Sequence, residues 1–288
     1  MKNILIKTLL IIFVIAFIPI YSYSESELDA RNYITAGYMQ SKYGNHEDAI
    51  TNYTRAINIG GFDNLADVYV MRGIEKNSIG DNNGAIQDFS AAISLSPKHS
   101  FAYMSRGCLY AEQKNYKKAM NDLNKAIENK TNYAYAFYKR GMIKAQMKDN
   151  IGALQDLTNA INMEQNPEIY MVRATVRNDL KDYQGAIDDY SNAIKLVKNS
   201  YIPYSLRASA YIRVGKYENA VKDYTKSLRL KPEYPESYLG RGIARIKLKQ
   251  YKDAEKDLNK AKEIYLKNEN MTGYQKTAEV LNILESEK

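Results

Sequence analysis

Between residue 30 and about residue 268 the apolar and polar positions recur with a long period. A small residue stands at Gly37, Gly73, Gly107, Gly141, Ala174, Ala208 and Gly242, at spacings of 36, 34, 34, 33, 34 and 34. Four residues before each marker is an aromatic: Tyr33, Tyr69, Tyr103, Phe137, Tyr170, Tyr204 and Tyr238. Twelve after it is alanine: Ala49, Ala85, Ala119, Ala153, Ala186, Ala220 and Ala254. Nineteen after it come Ala56, Ala92, Ala126, Ala160, Ala193, Ser227 and Ala261. Small residues at three columns let paired helices approach closely. The aromatic, with Ile50, Ile86, Met120, Leu154, Ile187 and Val221, fills the space between them. One such hairpin cannot bury its apolar face alone, so the pattern predicts stacked hairpins sharing a continuous core. An open end would expose that core. Tyr274, Ala278, Leu281 and Leu284 follow helical spacing with charges between them, and predict a capping helix over residues 270–286.

This period and these columns resemble the tetratricopeptide repeat, a helix–turn–helix unit of about 34 residues. The resemblance implies an all-α right-handed α-solenoid superhelix of seven repeats plus the C-terminal capping helix. The repeats span residues 30–65, 66–99, 100–133, 134–166, 167–200, 201–234 and 235–268. Tyrosine or phenylalanine stands where the family often has tryptophan, which keeps an aromatic wedge. Pro97 and Pro232 fall in turns after a second helix. Pro167 and Pro235 open a first helix, where a missing N–H costs nothing.

Arginine precedes the marker at Arg72, Arg106, Arg140, Arg173, Arg207 and Arg241, and aspartate lies fifteen after it at Asp88, Asp122, Asp156, Asp189, Asp223 and Asp257. The first copy lacks both, having Ala36 and Asn52. Their joint absence predicts an ion pair within each of the other repeats, linking its two helices. Matched carboxylates favour that structural reading over a nucleic-acid stripe of arginines.

Composition changes the picture mainly at the ends. The chain of 288 residues is 45% hydrophobic and 26% charged, which suits an ordered protein. Its first residues are different. Lys2 and Lys7 precede an apolar run from Leu9 to Ile20, then the small-x-small site Ser22-Tyr23-Ser24. That layout predicts a signal peptide over residues 1–24, cleaved after Ser24, and a protein exported to a periplasm or secreted. The alternative is a retained membrane anchor, although the run is short of the ~20 residues a span needs. The single cysteine, Cys108, cannot form an intramolecular disulfide, so burial alone must hold the fold. Residues 25–200 carry 21 basic and 21 acidic side chains, whereas residues 201–288 carry 18 against 12.

Catalytic constellations are not found in the sequence. His46 and His99 both fall at turns and are too few for a metal cluster, and neither a phosphate-binding glycine loop nor a nucleophile elbow occurs. No enzyme, metal or cofactor is expected. Asn52-Tyr53-Thr54 and Asn270-Met271-Thr272 match a glycosylation pattern too short to carry weight.

Two surfaces remain as candidates. The resemblance implies that first helices line a concave groove, with groove-facing positions three before and one after the marker. The first column reads Ile34, Val70, Met104, Tyr138, Met171, Ser205 and Leu239. The second reads Tyr38, Ile74, Cys108, Met142, Thr175, Ser209 and Ile243. The family's clamp for acidic chaperone tails needs lysine and asparagine at these columns, and neither occurs. Through the first five repeats they form an apolar, methionine-bearing trough suited to an apolar or amphipathic protein segment. The alternative is that neighbouring first helices touch and these side chains simply pack. The second candidate is a basic face of Arg245, Lys249, Lys252, Lys256 and Lys260, which could dock an anionic membrane or polymer. Nucleic acid is disfavoured, because no aromatic platform interleaves with these charges. The expected function is a non-catalytic, exported scaffold or adaptor binding a protein segment in the groove. The alternatives are an envelope-surface factor or the regulatory arm of an enzyme complex.

Overall fold

A computed structural model describes residues 25–130 and 132–287. The expected signal peptide, residues 1–24, lies outside the described residues. Fifteen helices are present among them and no strand. They are α1 (Glu25–Lys42), α2 (His46–Ile59), α3 (Leu65–Ser78), α4 (Asn82–Leu95), α5 (Ser100–Glu112), α6 (Tyr116–Asn129), α7 (Ala134–Gln146) and α8 (Asn150–Met163). The chain continues with α9 (Pro167–Asp179), α10 (Tyr183–Leu196), α11 (Tyr201–Arg213), α12 (Tyr217–Leu230), α13 (Pro235–Lys247), α14 (Tyr251–Lys267) and α15 (Met271–Glu287). Among the described residues no helix is long and apolar enough to cross a membrane.

The chain divides into two compact units between Gln113 and Lys114. Unit 1 holds α1–α5 and unit 2 holds α6–α15. Inside each, successive helices pack as antiparallel neighbours, α1 on α2, α2 on α3 and onward, which is a stack of helical hairpins. In unit 2 first helices also touch first helices, α7 with α9 and α11 with α13, and the last helix α15 covers α13 and α14. The capping helix is therefore where the spacing places it. Its Leu284 is fully buried, and so is Thr277, which the apolar spacing does not pick out.

Local chemistry sets the helix ends. Asp81, Asp149 and Asp182 cap α4, α8 and α10 by accepting a hydrogen bond from the backbone N–H three residues on. Pro167 and Pro235 open α9 and α13. Seven residues past each marker the chain turns through a left-handed conformation, at Gly44, Gly80, Lys114, Lys148, Lys181, Gly215 and Lys249. Glycine adopts it freely, whereas a side chain costs about 1 kcal/mol there.

Packing explains the markers. A Cβ on Gly37 would sit 2.7 Å from the Tyr53 ring, and on Gly73 2.8 Å from the Phe89 ring. On Gly141 and Gly242 it would meet Leu157 and Leu258 at 2.9 Å. The second helix thus presses a large side chain, sixteen residues past the marker, against the first. Both alanine columns are fully buried in every copy that keeps alanine. The first spacing is two residues longer because Gly60 and Gly61, both at positive φ, extend the loop that carries buried Phe62.

Candidate functional site

The arginines come first, because they decide what the first helices leave open. Arg72 grips Asp88 with Nε at 2.9 Å and an outer nitrogen at 2.7 Å. Arg140 holds Asp156, Arg173 holds Asp189, Arg207 holds Asp223 and Arg241 holds Asp257 in the same two-pronged way. Each pair lies within one repeat, as the joint absence of both residues from the first copy predicts. Arg106 and Asp122 belong to different units. The aspartates are buried, so these are charge-assisted bonds in a dry setting, where losing one partner is costly.

The sequence reading missed two further layers. The remaining guanidinium nitrogen reaches back to the preceding repeat, to Thr54 from Arg72, Ser90 from Arg106, Asn124 from Arg140, Thr158 from Arg173, Ser191 from Arg207 and Thr225 from Arg241. All six acceptors stand seventeen residues after a marker. Thr54, Ser90, Ser191 and Thr225 donate their own hydroxyl to the carbonyl four residues earlier, which aims the oxygen at the arginine. Arg72, Arg140, Arg173, Arg207 and Arg241 therefore each tie their own first helix to two second helices. Each arginine also lies over the aromatic three residues before it, 5.4 to 5.9 Å from the ring centroid. In the first copy, which has Ala36, Arg55 of the second helix takes the same place over Tyr33.

A second cation stands three residues past the marker: Lys76 on Asp88, Lys144 on Asp156, Arg177 on Asp189 and Arg245 on Asp257. Arg245 thereby belongs to the internal ladder, 2.6 Å from Asp257. The other members of the basic face differ among themselves. Lys260 sits 2.8 Å from Glu263 and Lys256 3.9 Å from Asp253, while Lys249 and Lys252 are exposed.

The two groove columns differ in access. In unit 1, Ile34, Val70 and Met104 are buried, and Tyr38, Ile74 and Cys108 one turn later are half-buried. The Cys108 thiol donates to the Met104 sulfur at 3.7 Å. In unit 2, Tyr138 is buried and Met142 and Met171 are half-buried, all three packing with Leu157 and Tyr170. Farther along, Thr175 and Ser209 are exposed and Ile243 is half-buried. The Tyr190 hydroxyl, fully buried, receives a hydrogen bond from Asn178 and lies 3.5 Å from Thr175; burial pushes its pKa up despite both. Access is thus confined largely to the column one past the marker, apolar at Tyr38, Ile74, Cys108 and Met142 and hydroxyl-bearing at Thr175 and Ser209.

Unit 1 holds one polar departure from the apolar pattern. Glu75, buried, accepts from the Ser41 hydroxyl at 2.7 Å and meets His46 Nδ1 at 2.5 Å. The corresponding positions of unit 2 are Ile143, Val176, Ala210 and Ala244, all buried.

With this geometry in place, family models agree with it. The tetratricopeptide repeat model matches residues 66–99, 102–133 and 235–268, and a further repeat model matches residues 208–249. The chain is a tetratricopeptide-repeat protein. Solved structures carry the same fold. A tetratricopeptide repeat protein from Parabacteroides merdae is 20% identical with a TM-score of 0.62, over 87% of this chain and 99% of that one. Pseudomonas aeruginosa pilF is 18% identical with a TM-score of 0.64, over 74% and 97%. YrrB, described as a repeat protein with an unusual peptide-binding site, is 17% identical with a TM-score of 0.57, over 65% and 97%. No curated protein sequence matches the chain. The tetratricopeptide fold is that of a protein-interaction scaffold, and it implies a protein or peptide partner.

Proposed function

We propose that the chain is an exported, non-catalytic adaptor that binds an apolar or amphipathic protein segment on the faces of its first helices. One observation carries this reading: Tyr38, Ile74 and Cys108 in unit 1 and Met142 in unit 2 stay part-open, although each lies one turn beyond a side chain that the stack buries. On the helices of Ile74 and Met142 the arginines and lysines are taken up by buried aspartates, so the contacts that hold these helices leave this column for a ligand. Part-open apolar side chains repeated at one column present a partner with apolar surface in each unit, and methionine adapts to its shape. The apolar run Leu9–Ile20 and the small-x-small site after it support export.

The experiment is site-specific photo-crosslinking in cells from positions 74 and 142, with Ile74→Glu and Met142→Glu variants alongside. A discrete crosslinked protein, lost in the folded charged variants, establishes the face as the working surface. Retention of the same partner by those variants would sink the reading.

A further inference from the structure

The left-handed turn that joins each first helix to its second differs between the units. In unit 1 it is made by Gly44 at φ 82° and Gly80 at φ 85°. In unit 2 it is made by Lys114, Lys148, Lys181 and Lys249, at φ 58°, 66°, 63° and 57°. The remaining turn of unit 2 keeps Gly215 and follows it with Lys216. A side chain in this conformation is strained relative to glycine. Backbone hydrogen bonds hold the turn whatever residue makes it, but the lysine side chains themselves return nothing to the fold: the four ammonium groups are exposed and no ion pair engages them among the described residues. Strain kept at equivalent positions points to a use outside folding.

The residue before the turn is apolar and open to solvent at Met147 (50% exposed), Leu180 (39%) and Val214 (36%), as Tyr43 and Ile79 are in unit 1, where no lysine stands at the turn. Two residues after the turn stands a half-buried tyrosine at Tyr116, Tyr183, Tyr217 and Tyr251; the copy between the first two has Asn150. First helices run in the same direction through the stack of unit 2, so the turns at Lys148, Lys181, Gly215 and Lys249 share one edge. Arg213, Lys247 and Lys252 add cations to it. Two of its acidic groups, Asp149 and Asp182, are occupied in capping α8 and α10, which leaves Asp179, Glu218 and Asp253. The opposite edge also exposes apolar residues, Met163, Leu196 and Val197, but there Glu164, Glu168, Glu233 and Glu236 offset the lysines.

At Leu180, Lys181 and Tyr183, and with Lys216 beside Val214 and Tyr217, an apolar tip, a cation on a long stem and a tyrosine stand at the same level, the side-chain set of a membrane–water interface. We infer that the lysine-bearing turn edge of unit 2 docks on a bilayer of anionic phospholipids. The ammonium groups meet headgroup phosphates, and Met147, Leu180 and Val214 seat at the acyl boundary. This surface is separate from the first-helix face and does not rest on that reading.

The protein contains no tryptophan, so one introduced indole reports its own surroundings. In the full chain, Leu180→Trp should shift its emission to the blue with phosphatidylglycerol vesicles and not with phosphatidylcholine vesicles. Leu196→Trp, on the opposite edge, should shift with neither. Adding Lys148→Gly, Lys181→Gly and Lys249→Gly to the Leu180→Trp chain removes charge and strain together, so the fold is kept. It should weaken vesicle affinity about 100-fold. An unshifted Leu180→Trp, an equal shift from Leu196→Trp, or unchanged affinity in the triple glycine variant would each overturn the inference.

Discussion

The two units spend their departures from the repeat in different places. Unit 1 keeps glycine at its turns and puts a buried carboxylate, Glu75, between its first two repeats. Unit 2 keeps that position apolar and puts strained lysines at the turns instead. Both keep the same buried alanines, the same arginine grip and the same reach-back to a hydroxyl or amide. The framework of the stack is thus carried by a few columns. The rest of each repeat is free to vary, and that is where the units can acquire separate roles.

The largest expected effect tests the shared framework. Asp156→Ala leaves Arg140 and Lys144 half-buried side by side without a counter-charge, and should cost about 3 kcal/mol. Urea denaturation followed by a probe in unit 2 should show it, while a probe in unit 1 moves less. A loss below about 1 kcal/mol would mean that the pairs are solvated in practice.

Next comes the polar junction of unit 1. Glu75→Gln should cost about 1–3 kcal/mol, because Ser41 and His46 lose a charged acceptor. Changing all three together, Glu75→Val, Ser41→Ala and His46→Asn, copies the set Val176, Ala145 and Asn150 from unit 2 and should recover most of that loss in thermal melts. If the triple variant is no better than the single one, the junction owes its stability to something besides this network.

Alkali should separate the units by slope. Burial pushes the pKa of Tyr53 up in unit 1 and of Tyr138, Tyr190, Tyr224, Tyr234 and Tyr265 in unit 2. A raised pKa means that the unfolded chain ionises first, so this stability is complete below about pH 10 and is lost as pH rises above it. Each tyrosine should remove about 1.4 kcal/mol per pH unit in that range. Unit 2, with five of them against one, should fall more steeply, and Tyr224→Phe should flatten its slope.

The smallest effect exchanges the turns. Lys148→Gly should stabilise unit 2 by about 0.5–1 kcal/mol, and Gly80→Lys should destabilise unit 1 by a similar amount. Equal stabilities before and after would show that lysine carries no strain at this turn, and would remove one support of the membrane inference.

Much of this was legible before any coordinates. The marker, aromatic and alanine columns predict the hairpins, and the absence of arginine and aspartate together from the first copy predicts which residues pair. The reading was weaker where one residue serves two roles. Arg241, Arg245 and Lys249 recur every four residues and look like one charged helix face, but the helix ends at Lys247 and Lys249 stands in the turn beyond it. Aligned instead with Lys76, Lys144 and Arg177, three past the marker, Arg245 is the second cation on a buried aspartate. The serine and threonine column behind the arginines was visible too, but a hydroxyl on a helix has many possible partners, and spacing does not choose among them. Likewise, the groove columns are equal in sequence, yet Val70 is buried while Ile74 is part-open.

The sequence by itself determined the period, the helical pairs and their caps, because those depend on side-chain size and on hydrogen bonds between residues close along the chain. It also determined which charges match, since the pairs appear and disappear together. Only the tertiary structure decided how far each side chain stays open. That depends on the neighbouring repeat, which lies some 34 residues away in sequence but in van der Waals contact in space. It also decided that lysines at the turns of unit 2 occupy a left-handed backbone, because the turn geometry is imposed by two packed helices whatever residue has to make it.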